Sequence, residues 1–176
     1  MDVFRYLVFM MAVCIVSVMS ACQSTGEVEE KTVFLQGVRE WNDGNYAKAA
    51  RYFRTASKRG NPLAASRLGE CYLQGKGVEQ DLGKAFSWFK KAAYQGQAAA
   101  QARLGMLYQS PRWKERDLVR AYAWYEVARL GGVQTQKMLY RLERGMSKSQ
   151  VREARMLSRR LKATDGVVRS LRRRRQ

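Results

Sequence analysis

The sequence predicts an all-α protein: a short α-solenoid of about three helix-turn-helix repeats with a 36-residue period, closed by a C-terminal capping helix. Three observations carry this. Leu68, Gly69, Tyr72, Asp81, Ala85, Trp88 and Ala92 recur at Leu104, Gly105, Tyr108, Asp117, Ala121, Trp124 and Ala128, all at one offset, and a fixed period of 20–50 residues marks stacked supersecondary units. Within a copy, apolar and small residues fall at helical spacing: Ala65, Leu68, Tyr72, then Ala85, Trp88, Phe89, Ala92. Helix start and stop signals repeat in the same register.

Each unit therefore divides into a helix A, over roughly 63–74 and 99–109, and a helix B, over roughly 82–95 and 118–131. Asn45, Asp81 and Asp117 stand where helix B starts, and each side chain is expected to accept an orphan N–H of the first turn. Gly60, Gly96 and the pair Gly131-Gly132 follow helix B, where a left-handed residue ends a helix. Gly69, Gly105, Ala85 and Ala121 are small where two backbones must approach, with Trp88 and Trp124 expected to fill the space beside them. An earlier unit, about 32–62, has Asn45, Ala49, Tyr52, Phe53, Ala56 and Gly60 in register, with four fewer residues between its helices. After the last repeat, 137–145 extends one more helix. Ser147 with Gln150 forms a capping-box pattern, and Val151, Ala154, Leu157 and Leu161 give the next helix an apolar stripe. A solenoid needs such a terminal element with a polar outer face.

The segment AASRLGECYLQGKGVEQDLGKAFSWFKKAAYQG resembles a Sel-one-like repeat, a branch of the tetratricopeptide-type solenoids, through its LG…Y…GxGV…D…KA…W…KAA…G pattern. Repeat 101–136 keeps the helix positions but has Pro111-Arg112-Trp113-Lys114 in place of Gly75-Lys76-Gly77-Val78, and the first unit is closer to a plain tetratricopeptide repeat. The resemblance covers roughly 32–161 and implies a partner-binding scaffold. Relatives of lipoprotein type serve polysaccharide export, flagellar motors or adhesion, and no residue here chooses among these.

Residues 1–21 read as a lipoprotein signal peptide. Arg5 precedes an apolar run over 6–19, shorter than the roughly 20 residues of a spanning helix. Met19-Ser20-Ala21-Cys22 resembles a bacterial lipobox, with Met for the usual Leu, which implies diacylation of Cys22. Gln23, where inner-membrane lipoproteins commonly carry Asp, implies the periplasmic face of the outer membrane. A short uncleaved anchor is the alternative. Residues 22–31 are then a lipidated flexible tether, 32–161 the solenoid with its cap, and 162–176 a basic tail, loose or a short frayed helix after Asp165-Gly166. Cys71 is left as a lone cysteine on helix A, read as a small semi-buried apolar residue.

The formal charge of +18 is concentrated at the C-terminus, where residues 137–176 carry a net +11. The basic patch comprises Arg152, Arg155, Arg159 and Arg160 on the cap helix and Arg169, Arg172, Arg173, Arg174 and Arg175 in the tail. Behind a signal peptide the fitting polyanions are anionic glycans and phospholipid headgroups rather than nucleic acid; near such a surface each cation contributes about 1 kcal/mol. Histidine is absent, which removes the commonest general base and metal ligand. No P-loop, dinucleotide fingerprint or paired-cysteine metal spacing occurs. No enzymatic activity, cofactor or metal is expected.

The function read from these features is a protein-interaction scaffold working through helix A. With Gly37, Gly69 and Gly105 as reference, the face one residue later contains Phe34, Val38 and Trp41, then Ser66, Glu70 and Leu73, then Ala102, Met106 and Gln109. Trp41 is the leading hot-spot residue, with packing against the first helix B as its alternative role. Trp113, to which the period assigns no core place, is expected to be an exposed loop anchor. No repeated Arg/Lys pair is apparent on this face. The alternative function is polyanion binding by the basic helix and Arg tail.

Overall fold

A computed structural model describes residues 31–173, with side chains through residue 164. The signal segment, Cys22 and the tether to residue 30 lie outside the described residues. So do Arg174, Arg175 and the side chains of Arg169, Arg172 and Arg173. The described residues form helices joined by turns and short irregular loops: α1 over 31–42, α2 Tyr46–Lys58, α3 Pro62–Gln74, α4 Leu82–Tyr94, α5 Ala98–Gln109, α6 Leu118–Leu130, α7 Gln136–Gly145 and α8 Lys148–Arg173. Odd-numbered helices are A and even-numbered are B. The closest helix pairs are α3 with α4 and α5 with α6, and α2–α3 and α4–α5 contacts join successive units. The stack is the solenoid the period requires.

Local signals act largely as expected. Asp81 Oδ1 accepts from Lys84 N–H at 2.8 Å and Asp117 Oδ1 from Arg120 N–H at 2.9 Å. Asn45 makes no such bond, because its backbone (φ −77°, ψ 57°) is not extended and does not fold the side chain over the first turn. The A helices have caps of their own: Asn61 Oδ1 accepts from Ala64 N–H at 2.9 Å, and Gln97 Oε1 from Ala100 N–H. Both halves of the Ser147–Gln150 capping box form, at 2.9 and 3.2 Å. Gly60, Gly96 and Gly132 take the left-handed conformation behind α2, α4 and α6.

The close approaches are made by other rings than the sequence suggested. An added Cβ at Gly37, Gly69 or Gly105 would sit 2.8 Å from a ring carbon of Phe53, Phe89 or Tyr125 respectively. The ring pressed on each glycine is thus the residue after the tryptophan position; Trp124 is buried in the core but, like Trp88, is not the ring nearest the glycine. Trp88 stays half-exposed, with Lys91 Nζ 5.2 Å above its ring. Phe53 and Phe89 are fully buried; truncating such a side chain to alanine costs about 3–5 kcal/mol.

The loop after α3 is packed rather than free. Gly77 has φ +72°, and a Cβ there would lie 2.2 Å from the Tyr46 carbonyl. Only glycine lets this loop rest on the backbone at the head of α2, and that contact carries Lys76 over the Trp41 and Tyr46 rings at 5.3 and 5.1 Å.

At the far end, α8 continues unbroken to Arg173. The helical end expected near Asp165-Gly166 does not occur: a helix-interior glycine costs only about 1 kcal/mol relative to alanine, and no proline stands in 148–173. α8 packs mainly on α6 and reaches α4, while α7 also rests on α6. Among its described side chains Ala154 and Ser158 are buried. Buried Thr135 donates its hydroxyl to the Tyr125 carbonyl at 2.7 Å, tying the start of α7 to α6.

Candidate partner-binding surface

Eight of the nine groove residues named from the sequence are half-buried: Phe34, Val38, Trp41, Glu70, Leu73, Ala102, Met106 and Gln109. Ser66 is 5% exposed, out of a partner's reach. It stands on α3 beside buried Ala65, on the side that meets neighbouring helices.

On α1, Phe34, Val38 and Trp41 pack on the first core cluster of Ala49, Ala50, Phe53, Leu68 and Cys71. Trp41 meets Tyr46 edge-on at 4.9 Å and Phe53 at 6.3 Å. Both of its partner rings lie on α2, so Trp41 does pack against the first helix B, and Lys76 covers part of what remains.

On α3, Glu70 is the polar centre of the face. It accepts from Arg67 at 3.2 Å and from Arg103 of α5 at 3.0 Å, with its side chain 15% exposed. This ion pair ties one A helix to the next. Arg67 and Arg103 are 36 residues apart in the sequence, so one cation recurs beside this face, and both copies are taken up by Glu70. Leu73 and Met106 lie against the second core cluster, and Gln109 Oε1 accepts from the Tyr125 hydroxyl at 3.2 Å. Burial pushes that hydroxyl up to about 12. The face offers shallow apolar contact around one carboxylate held by two arginines, which suits side chains of a partner rather than a reaction.

Trp113 is not an exposed anchor. It is 7% exposed and stacks on Phe86, with centroids 4.8 Å apart and an interplanar angle of 25°. The turn built by the Trp113 N–H donating to the Ser110 carbonyl at 3.2 Å folds the ring inward. The aromatic partner at Phe86, one helix away, could not be read from the 36-residue period.

The basic patch divides. Arg152, Arg155, Arg159 and Arg160 are all exposed, but Arg155 is engaged: it donates to Glu143 at 2.9 Å beside the Tyr122 hydroxyl. The Tyr122 hydroxyl, donating at 2.7 Å, and Arg155 hold Glu143 below the usual carboxylate range. Arg129 does the same for Glu126 through contacts at 2.7 and 3.0 Å. Cys71 is buried, and desolvation raises its thiol to about 11, which makes it an inert core residue. Among the described residues no cluster of three or more His, Cys, Asp or Glu is arranged for a metal, and no helix is long and apolar enough to cross a membrane.

The Sel1 repeat model matches residues 36–61, 62–97 and 98–133. The second and third matches begin at or beside the first residues of α3 and α5 and end after α4 and α6, so each spans one A/B pair. Among solved structures the chain is similar to a protective antigen of uropathogenic Escherichia coli strains displaying an SLR fold. That similarity is 30% identity with a TM-score of 0.70, over 81% of this chain and 32% of that one; the chain spans about a third of that protein's length. It is also similar to a Sel1 repeat protein from Oxalobacter formigenes, with 31% identity and a TM-score of 0.59 over 67% of this chain and 93% of that one. None of the curated proteins matches it significantly. Sel1 repeat proteins are generally scaffolds for protein–protein interaction and typically not enzymes. With its helix pairs, its glycine–aromatic approaches and these matches all in one register, the chain belongs to the Sel1 repeat family.

Proposed function

We propose that the chain is a non-enzymatic envelope lipoprotein, tethered through diacylated Cys22 to the periplasmic face of the outer membrane, that holds a protein partner on its A-helix face. The observation that supports the interaction surface is the row of half-buried apolar residues, Phe34, Val38, Trp41, Leu73 and Met106, on three successive A helices around the Glu70–Arg103 pair. Stacked helix pairs create an extended surface of this kind. The apolar groups supply contact area and the partly buried ion pair keeps the A helices in register. The lipobox-like Met19-Ser20-Ala21-Cys22 supports the tether.

Two experiments test the reading. Mass spectrometry of the N-terminus of membrane-extracted protein should find a diacylated Cys22, absent in Cys22→Ser; an intact Met1 rejects the lipoprotein assignment. Photo-crosslinking residues placed in cells at Leu73 and Met106 should capture one discrete partner band that exposed Lys90 on α4 does not. Equal capture from Lys90 rejects the A-helix face.

A further inference from the structure

α7 and α8 are consecutive, yet each packs more on α6 than on the other, with the Arg155–Glu143 ion pair bridging them. A cavity of about 540 Å³ opens in the wedge between the three helices. Its cations are Arg129 from α6 and Arg155, Arg159 and Lys162 from α8; its carboxylates are Glu126 and Glu143. Residues 155, 159 and 162 share one helical face by their spacing. Arg129 is taken up by Glu126 at 2.7 Å and Arg155 by Glu143 at 2.9 Å. No described acid pairs with Arg159 or Lys162, so among the described residues two positive charges are left over in a half-open site.

We propose that this cavity binds a phosphate monoester carried on a hydroxyl-rich small group, in effect a sugar phosphate. A monoester carries about −1.5 to −2 charge at neutral pH, which matches the surplus of Arg159 and Lys162. A guanidinium fork and an ammonium are the usual pair for such an anion. Ligand pockets run from about 300 to 1,000 Å³, so the volume exceeds what a bare phosphate needs. The rest of the wall is hydrogen-bonding: Gln136, Tyr122 and the two carboxylates, whose spare lone pairs suit hydroxyl donors, with only Leu130 and Leu139 apolar. An aromatic or acyl ligand finds little surface there. The site shares no residue with the A-helix face and stands or falls apart from it.

Isothermal titration of the full chain at low salt, with glucose 6-phosphate, inorganic phosphate and glucose as probes, tests this. Glucose 6-phosphate should bind saturably and roughly fivefold or more tighter than inorganic phosphate, with no heat from glucose. Arg159→Ala and Lys162→Ala should each weaken it by roughly fivefold or more. Arg152→Ala, which removes the same charge outside the cavity, should leave it unchanged. Circular dichroism checks that these exposed-site variants fold. Absence of saturable binding overturns the proposal, as does equal weakening by Arg152→Ala, which would mean diffuse attraction. Inorganic phosphate binding as tightly also overturns it, because the hydroxyl-bonding wall would then contribute nothing. Phosphatidylcholine vesicles bearing phosphatidylinositol 4-phosphate present the same monoester on a lipid. Sedimentation with them that Arg159→Ala abolishes assigns a membrane-borne ligand; titration binding without it assigns a free one, and both support the site.

Discussion

Gly77→Ala separates a packed loop from a mere spacer. Two costs combine at this position. A left-handed conformation costs an L-residue roughly 1–2 kcal/mol, of which about 0.4–1 kcal/mol is offset because alanine also restricts the unfolded chain. The second cost is contact: the new Cβ would lie 2.2 Å from the carbonyl carbon and oxygen of Tyr46 and 2.5 Å from Ala47 N. These are backbone atoms at the head of α2 and cannot rotate away. The loop must lift, which adds about 1–3 kcal/mol as for other overpacked sites, and Lys76 leaves the Trp41 and Tyr46 rings, at about 0.5–1 kcal/mol for exposed cation–π contacts. The expected loss is about 2–5 kcal/mol. Gly75→Ala and Gly44→Ala are the controls. Their φ values are +69° and +80°, but the nearest atom to a new Cβ is Gln80 Cβ at 3.4 Å for the first, and nothing lies within 4 Å for the second. Each should cost only about 0.5–1 kcal/mol. Urea unfolding followed by circular dichroism gives the three midpoints at unchanged m. A Gly77→Ala midpoint no lower than those of the two controls refutes the packed loop.

Trp113→Ala should destabilise the fold by about 3–5 kcal/mol, as for other buried aromatics, because it empties the stack on Phe86; near-native thermal stability would restore the exposed-anchor role. Glu70→Gln and Arg103→Ala, combined in a double-mutant cycle, should show a coupling of about 1 kcal/mol at most, the upper end for partly exposed pairs; zero coupling denies that the pair ties α3 to α5. Stability should also fall in alkali. The Cys71 thiol lies at about 11 in the fold against a reference of 9.0, so its contribution is intact below pH 9 and is lost as pH rises towards 11, where the unfolded thiol has ionised first. The unfolding midpoint should therefore decline above pH 9, and Cys71→Ala should make that decline shallower; an identical decline in the variant contradicts the burial argument.

The repeat, the helix positions and most of the caps are legible in the order of the residues, because these are short-range effects. A 3.6-residue stripe and a side chain reaching an N–H three residues ahead act within one or two turns, and the 36-residue period repeats those local signals. The same reasoning named an A-helix face on which eight of nine residues prove half-buried. It did not decide which of two adjacent aromatics faces a glycine. Trp88 and Phe89 both fall on the apolar stripe, and a 100° step between neighbours is too small to rank them; the fit of the opposing helix ranks Phe89 inward. Trp113 went inward because a ring on α4 was waiting for it. Lys76 came to rest on Trp41 because a glycine let two backbones touch. The cavity at the C-terminal end exists because α7 and α8 both chose α6 over each other. Packing between elements depends on the shapes of all the side chains at the contact, so angles, partners and cavities belong to the tertiary structure alone.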